Sequence, residues 1–155
     1  MQPRHLELKI PPVVLFMIAL VAMYACITLL PQMVIRWPFP RIGFALCFIL
    51  SGFFGLAGVA GFRRAKTTVN PAKPDQSSCI VASGVFRLSR NPMYLGLTFL
   101  LIGTGYYLQN IMAFVVVWAF IVYLNHFQIK PEERILEGRF GDEYRRYKQE
   151  VRRWL

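Results

Sequence analysis

Residues 93–127, MYLGLTFLLIGTGYYLQNIMAFVVVWAFIVYLNHF, contain no Asp, Glu, Lys or Arg. As one helix the stretch would be about 50 Å long at 1.5 Å per residue, far beyond a hydrocarbon core of about 30 Å. It therefore reads as a helical hairpin with arms at 93–108 and 111–127. The polar pair Gln109-Asn110 makes the turn, beside Tyr106 and Tyr107, which suit a membrane–water interface. A hairpin returns the chain to the side it came from, so residues just before 93 and just after 127 meet at one membrane depth.

Outward from the hairpin, two further uncharged runs cover 13–30, opened by Pro11-Pro12, and 42–62, preceded by a short turn with Pro31, Arg36, the interfacial Trp37, Pro38, Pro40 and Arg41. The 155-residue chain is 55% hydrophobic, and these residues fall in long blocks of spanning length with no pattern for a soluble core. The expected fold class is all-α: one integral membrane domain, 1–155, with four transmembrane segments at 13–30, 42–62, 93–108 and 111–127. The first run lacks a small-x-small cleavage site and is expected to stay in the mature protein. Gly52, Gly55, Gly58 and Gly61 recur every three residues and predict close helix contact. Cys26, Cys47 and Cys79 show no metal-ligand spacing and read as free thiols. No metal site is expected.

Charge sets the orientation. Of 18 Lys and Arg, only Arg36 and Arg41 lie on the hairpin-turn side; the rest fall in the N-terminal residues, the loop 63–92 and the tail 130–155. The positive-inside bias places both termini, the loop and the tail in the cytoplasm, in an expected bacterial inner membrane. The net charge of +10 has its origin there, so nucleic acid is not an expected partner. The tail predicts a single amphipathic helix from Pro131, with Leu136, Phe140, Tyr144, Tyr147 and Val151 along one face and Trp154 at the headgroups.

Chemistry-bearing residues gather at the hairpin mouth. Arg90-Asn91-Pro92 opens the first arm, Tyr94 follows, Gly96 lies one turn deeper and leaves space for a ligand or a neighbouring helix, and Glu132-Glu133 follow the second arm. Each also has a plain structural reading. Arg90 suits a snorkelling cation, Tyr94 an interfacial aromatic, and Asn91 the entry to a helix. The two carboxylates suit a helix N-terminus, and His126 a hydrogen-bonded helix end.

The Arg90-Asn91-Pro92-Met93-Tyr94-Leu95-Gly96 stretch resembles the Arg-His-Pro-x-Tyr-x-Gly signature of membrane methyltransferases of the isoprenylcysteine carboxyl methyltransferase and phospholipid methyltransferase type, in their bacterial form. A second block, Lys130-Pro131-Glu132-Glu133-Arg134 through Phe140-Gly141-x-x-Tyr144-x-x-Tyr147, follows at the family's spacing; together the resemblance covers roughly residues 67–155. It implies S-adenosylmethionine bound between the hairpin and the cytoplasmic tail, without a Rossmann domain. By position, Ile80, Val81, Gly84, Asn91, Pro92, Tyr94 and Gly96 would shape the cofactor pocket, and Glu132 and Glu133 would hold the cofactor's polar groups. Arg90 and Glu133 are the implied catalytic pair, with Arg90 and Asn70 toward the substrate. The chain departs from the signature at Asn91, where many relatives carry histidine.

The implied reaction is methyl transfer to a lipophilic carboxylate or amine at the cytoplasmic membrane surface, the acceptor arriving laterally from the bilayer. An amine must first lose a proton, with Glu133 and His126 as candidate bases. Two other readings stay open. A membrane reductase of the sterol reductase type would use NADPH and share the Arg-His-Pro-like element, and a non-enzymatic membrane protein would bind anionic lipid through the basic loop and tail. Oligomeric state is not legible from the sequence.

Overall fold

A computed structural model describes residues 7–66 and 78–155; Asn70 lies outside the described residues. Helix α1 is Pro12–Leu29, α2 is Pro40–Arg64, α3 is Pro92–Leu108 and α4 is Ile111–Tyr123. The first three each carry proline in the first turn, where the missing N–H costs no intrahelical bond. No β-strand occurs among the described residues; Val34 and Asn110 make an isolated bridge.

Beyond α4 the structure departs from the expected break between span and tail. A π-helical segment, Leu124–Ile129, joins α4 directly to α5, Lys130–Phe140, so one continuous helix runs from Ile111 to Phe140. Pro131 cannot donate to the helical ladder, and the wider π turn before it absorbs the shift in register. The tail is also two helices, where one was expected. Gly141 sits at φ +54°, ψ −123°, a backbone region essentially confined to glycine, and it separates α5 from α6, Asp142–Glu150. The apolar stripe survives the break: Tyr144, Tyr147 and Val151 are buried together, with Leu136, Phe140 and Ile80 packed against them.

Among the described residues, three helices are long and apolar enough to cross a membrane: Pro12–Leu29, Pro40–Arg64 and Ile111–Phe140. Their outward faces expose large apolar side chains, among them Val21, Leu56 and Trp118, as helices facing lipid do. Helix α3, with 17 residues, is sheltered chiefly by α2. Gly96 makes this approach possible, because a Cβ there would stand 2.9 Å from the Ser51 carbonyl oxygen and 3.2 Å from the Gly55 nitrogen. Cys26, Cys47 and Cys79 are free.

At one end the hairpin turn is locked to the α1–α2 connector. Gln109 adopts the left-handed conformation, its side chain accepts from the Trp37 N–H at 2.9 Å, and the Tyr106 hydroxyl donates to the Pro38 carbonyl at 2.7 Å. Asn110 is buried; its side chain caps α4 by accepting from Met112 N–H at 2.9 Å and donates to the Leu30 carbonyl at 3.1 Å. Asn110→Ala removes both bonds. A lost cap costs about 0.5–2 kcal/mol, so a thermal scan in detergent is expected to show a lower midpoint with ligand binding unaffected.

Candidate functional site

The opposite end gathers five pieces of chain: the N-terminal residues near 8–10, the 3-10 turn Gly84–Arg87, the entry to α3, the π segment with α5, and the residues after α6. Leu8 N–H donates to the Phe127 carbonyl at 2.9 Å, and the buried Gln128 donates to the Ile10 carbonyl at 2.8 Å. The Gln128 Oε1 is buried without a partner.

Two carboxylates adjacent in sequence sit in different chemistry here. Glu133 is buried and receives three charge-assisted bonds: Arg90 Nη2 at 2.6 Å, Arg153 Nη2 at 2.6 Å and Arg153 Nε at 3.0 Å. Arg90 in turn donates through Nη1 to the Lys148 and Val151 carbonyls, both at 2.9 Å. These two side chains are engaged in holding the end of the chain, and neither reaches a ligand without giving up that hold. The hydrogen bonds from Arg153 to Glu133 favour the charged guanidinium and hold its pKa further up. Burial pushes the Tyr144 and Tyr147 hydroxyls well above the ordinary phenol range, so both remain neutral. The Tyr147 hydroxyl donates to the Phe86 carbonyl at 2.7 Å, tying α6 to the 3-10 turn.

Glu132 faces the other way. One of its oxygens accepts a short bond from the hydroxyl of the buried Tyr94, and among the described residues no other side chain donates to it. The residue is half-buried, so the Tyr94–Glu132 pair has an accessible side. Around Tyr94 lie Leu101, Leu124 and Ile129 in the main apolar cluster. The arrangement is a carboxyl group with one oxygen bonded to Tyr94 and, among the described residues, no side-chain donor to the other, beside the main apolar cluster.

The remaining expected residues divide around this pair. Pro92 is buried in the first turn of α3, and Asn91 donates from Nδ2 to the Arg153 carbonyl at 3.0 Å. Val81 is buried beneath the 3-10 turn with Phe86, and Ile80 packs on the Tyr144 and Tyr147 rings. Gly84, at φ +60°, allows the sharp entry to that turn. The Cβ direction of Gly96 points to α2 and away from the mouth, so helix packing accounts for this glycine. His126 is exposed, with Nδ1 bonded to its own helix at the Val122 carbonyl, 2.9 Å away. Sequence reasoning missed Ser89, Asn125, Arg153 and Trp154. Arg153 had no signal beyond being one more cation in a basic tail, and Trp154 was expected at the headgroups, yet its ring is partly buried against both apolar clusters.

Helices apolar enough to span a membrane, with polar groups gathered at the mouth of a hairpin, define an all-helical membrane protein. Residues 41–143 match the family model of phospholipid methyltransferase. The chain belongs to that family, and membership makes it a membrane methyltransferase. An uncharacterized protein of Haemophilus influenzae is 54% identical over 63 residues, which cover 41% of this chain and the whole of that protein. No solved structure matches.

Proposed function

We propose that the protein transfers a methyl group from S-adenosylmethionine to a lipophilic acceptor, a carboxylate or an amine, at the mouth of the α3–α4 hairpin. The observation that carries the reading is the Tyr94–Glu132 pair: a half-buried carboxylate with one oxygen fixed by a buried hydroxyl and the other free. The donor groups of the cofactor, its ammonium and ribose hydroxyls, need such an acceptor, and its sulfonium end needs a surface that excludes water. Bound there, the cofactor supplies an electrophilic methyl carbon. The chain's own residues align and desolvate. Tyr94 fixes the rotamer of Glu132, Glu132 accepts from the cofactor's polar end, and the cluster around Leu101, Leu124 and Ile129 keeps the floor dry. Alignment of this kind contributes up to about 7–11 kcal/mol in the best cases.

Glu133 carries two guanidinium partners and is a poor base; its role in this reading is to anchor the mouth together with Arg90. The mouth faces the cytosol, in a bacterial inner membrane crossed four times, since Arg36 and Arg41 flank the opposite end. The acceptor enters laterally, because the site lies where apolar helix faces give way to charged tail. Arg90, the cation at the mouth that a dinucleotide phosphate would call on, is already engaged by Glu133 and two carbonyls.

Two measurements test the proposal. Purified protein given methyl-labelled S-adenosylmethionine and a total lipid extract is expected to label a lipid-soluble product; labelling equal to a protein-free control contradicts it. Tyr94→Phe keeps the ring and removes the hydroxyl that orients Glu132. Loss of a charge-assisted bond is worth about 1.5–3 kcal/mol, so S-adenosylhomocysteine affinity is expected to fall about tenfold or more. Unchanged affinity would take Tyr94 out of the site.

A further inference from the structure

We propose that residues 151–155 form a positioning strap that sets the distance between Tyr94 and Glu132, with Arg153 and Trp154 as its two working side chains. The inference rests on reading that pair as the cofactor site. Tyr94 belongs to α3 and Glu132 to α5, and these two helices have almost no backbone proximity of their own. The α3–α4 packing brings the two helices together, because α4 continues into α5, and a further piece of chain fixes their register at the mouth.

The chain after α6 does so. Val151 leaves the helix in an extended conformation, φ −123°, ψ 131°, which frees the following carbonyls to accept bonds from elsewhere. On the α3 side, Arg90 N–H donates to the Arg152 carbonyl at 3.0 Å, and the Arg153 carbonyl accepts from Ser89 Oγ at 3.2 Å and Asn91 Nδ2 at 3.0 Å. Ser89 is fully buried, so its hydroxyl is committed to this contact. On the other side, the Arg153 guanidinium grips both oxygens of Glu133, the neighbour of Glu132, and Trp154 Nε1 donates to Asn125 Oδ1 at 3.2 Å in the π segment one helical stretch before. The Trp154 ring fills the seam between the cluster containing Tyr94 and the cluster containing Leu95. One short segment thus grips the residues before α3, the turn of α5 that carries Glu132, and the π turn that sets how that helix is rotated. Asn91 takes part as a donor to the strap.

Arg153→Lys keeps a cation but loses the two-point hold that a planar guanidinium provides. Its expected effect is a fall of roughly tenfold in S-adenosylhomocysteine affinity, while Arg153→Lys combined with Glu132→Gln binds no worse than Glu132→Gln alone. Trp154→Phe, which retains the ring and loses the bond to Asn125, is expected to act in the same direction. Wild-type affinity in Arg153→Lys, or independent losses that multiply in the double variant, overturns the proposal. Hydrogen exchange on the ligand-free protein gives a second arm, independent of the cofactor. Arg153→Lys is expected to speed exchange in residues 89–96 and 130–136 and to leave the hairpin turn near Asn110 unchanged. Unaltered exchange at the mouth contradicts the strap. Faster exchange there in Arg153→Lys, when the wild-type protein binds no S-adenosylhomocysteine, upholds the strap and sinks only the cofactor reading.

Discussion

Arg90→Met is expected to lower stability by about 3–5 kcal/mol, the cost of removing one partner from a buried ion pair. The Arg90 and Glu133 side chains are each 9% exposed, so water cannot replace the lost contact cheaply. The substitution also strips the Lys148 and Val151 carbonyls of their donor. Glu133→Gln removes the same charge pair from the other side and leaves Arg90 and Arg153 to repel. Because both variants break one network, the double variant is expected to lose less than the sum, by about 0.5–3 kcal/mol. Thermal midpoints of the four proteins in one detergent check this. Additive losses would show that Arg90 and Glu133 act separately, against the geometry described here.

Gly96→Val is expected to destabilise strongly, because the atoms its Cβ would meet are backbone atoms of α2 that cannot rotate aside. Overpacking costs about 1–3 kcal/mol in side-chain cores, and the upper end applies where two backbones must separate. Gly52, on the same helix α2, has nothing within 4 Å of a built Cβ. Gly52→Ala is therefore expected to shift stability in the opposite direction, by up to about 1 kcal/mol from helix propensity. A thermal midpoint that falls for the first and holds or rises for the second fits the packing. Equal and small effects would mean that α2 and α3 do not approach as closely as described.

The elements most legible in the sequence were those whose causes are local. Prolines at positions 12 and 92 opened helices where expected, Pro40 opened α2 from within the expected turn, and the Gln109-Asn110 pair turned the hairpin. What escaped was set by register and by distant contacts. Pro131 read as the start of a separate tail helix, because periodicity carries no sign of a π turn able to carry a helix through it. Gly141 lay inside the single helix expected for the tail, although its positive φ makes it a corner. At the site, the sequence gathered Arg90, Asn91, Tyr94, Glu132 and Glu133 at one mouth, but gave no means of dividing their labour. That division depends on Arg153, 20 residues further along the chain than Glu133, reaching back to neutralise it and leave Glu132 facing outward. Gly96 carried two readings, space for a ligand or for a neighbouring helix, and the close approach of α2 fits the second.

Glu132 is where the account is most exposed. Glu132→Gln preserves shape and still accepts from Tyr94, but replaces the acceptor oxygen proposed to meet the cofactor's donors with an amide that donates instead. Calorimetric titration with S-adenosylhomocysteine is expected to show binding to the wild type and an affinity about tenfold to a hundredfold lower in Glu132→Gln, the equivalent of about 1.5–3 kcal/mol. The thermal midpoints of the two ligand-free proteins are expected to agree closely. Equal affinity in the two proteins, or a wild type that binds NADPH and not S-adenosylhomocysteine, would contradict the assignment of the hairpin mouth as a methyl-donor site.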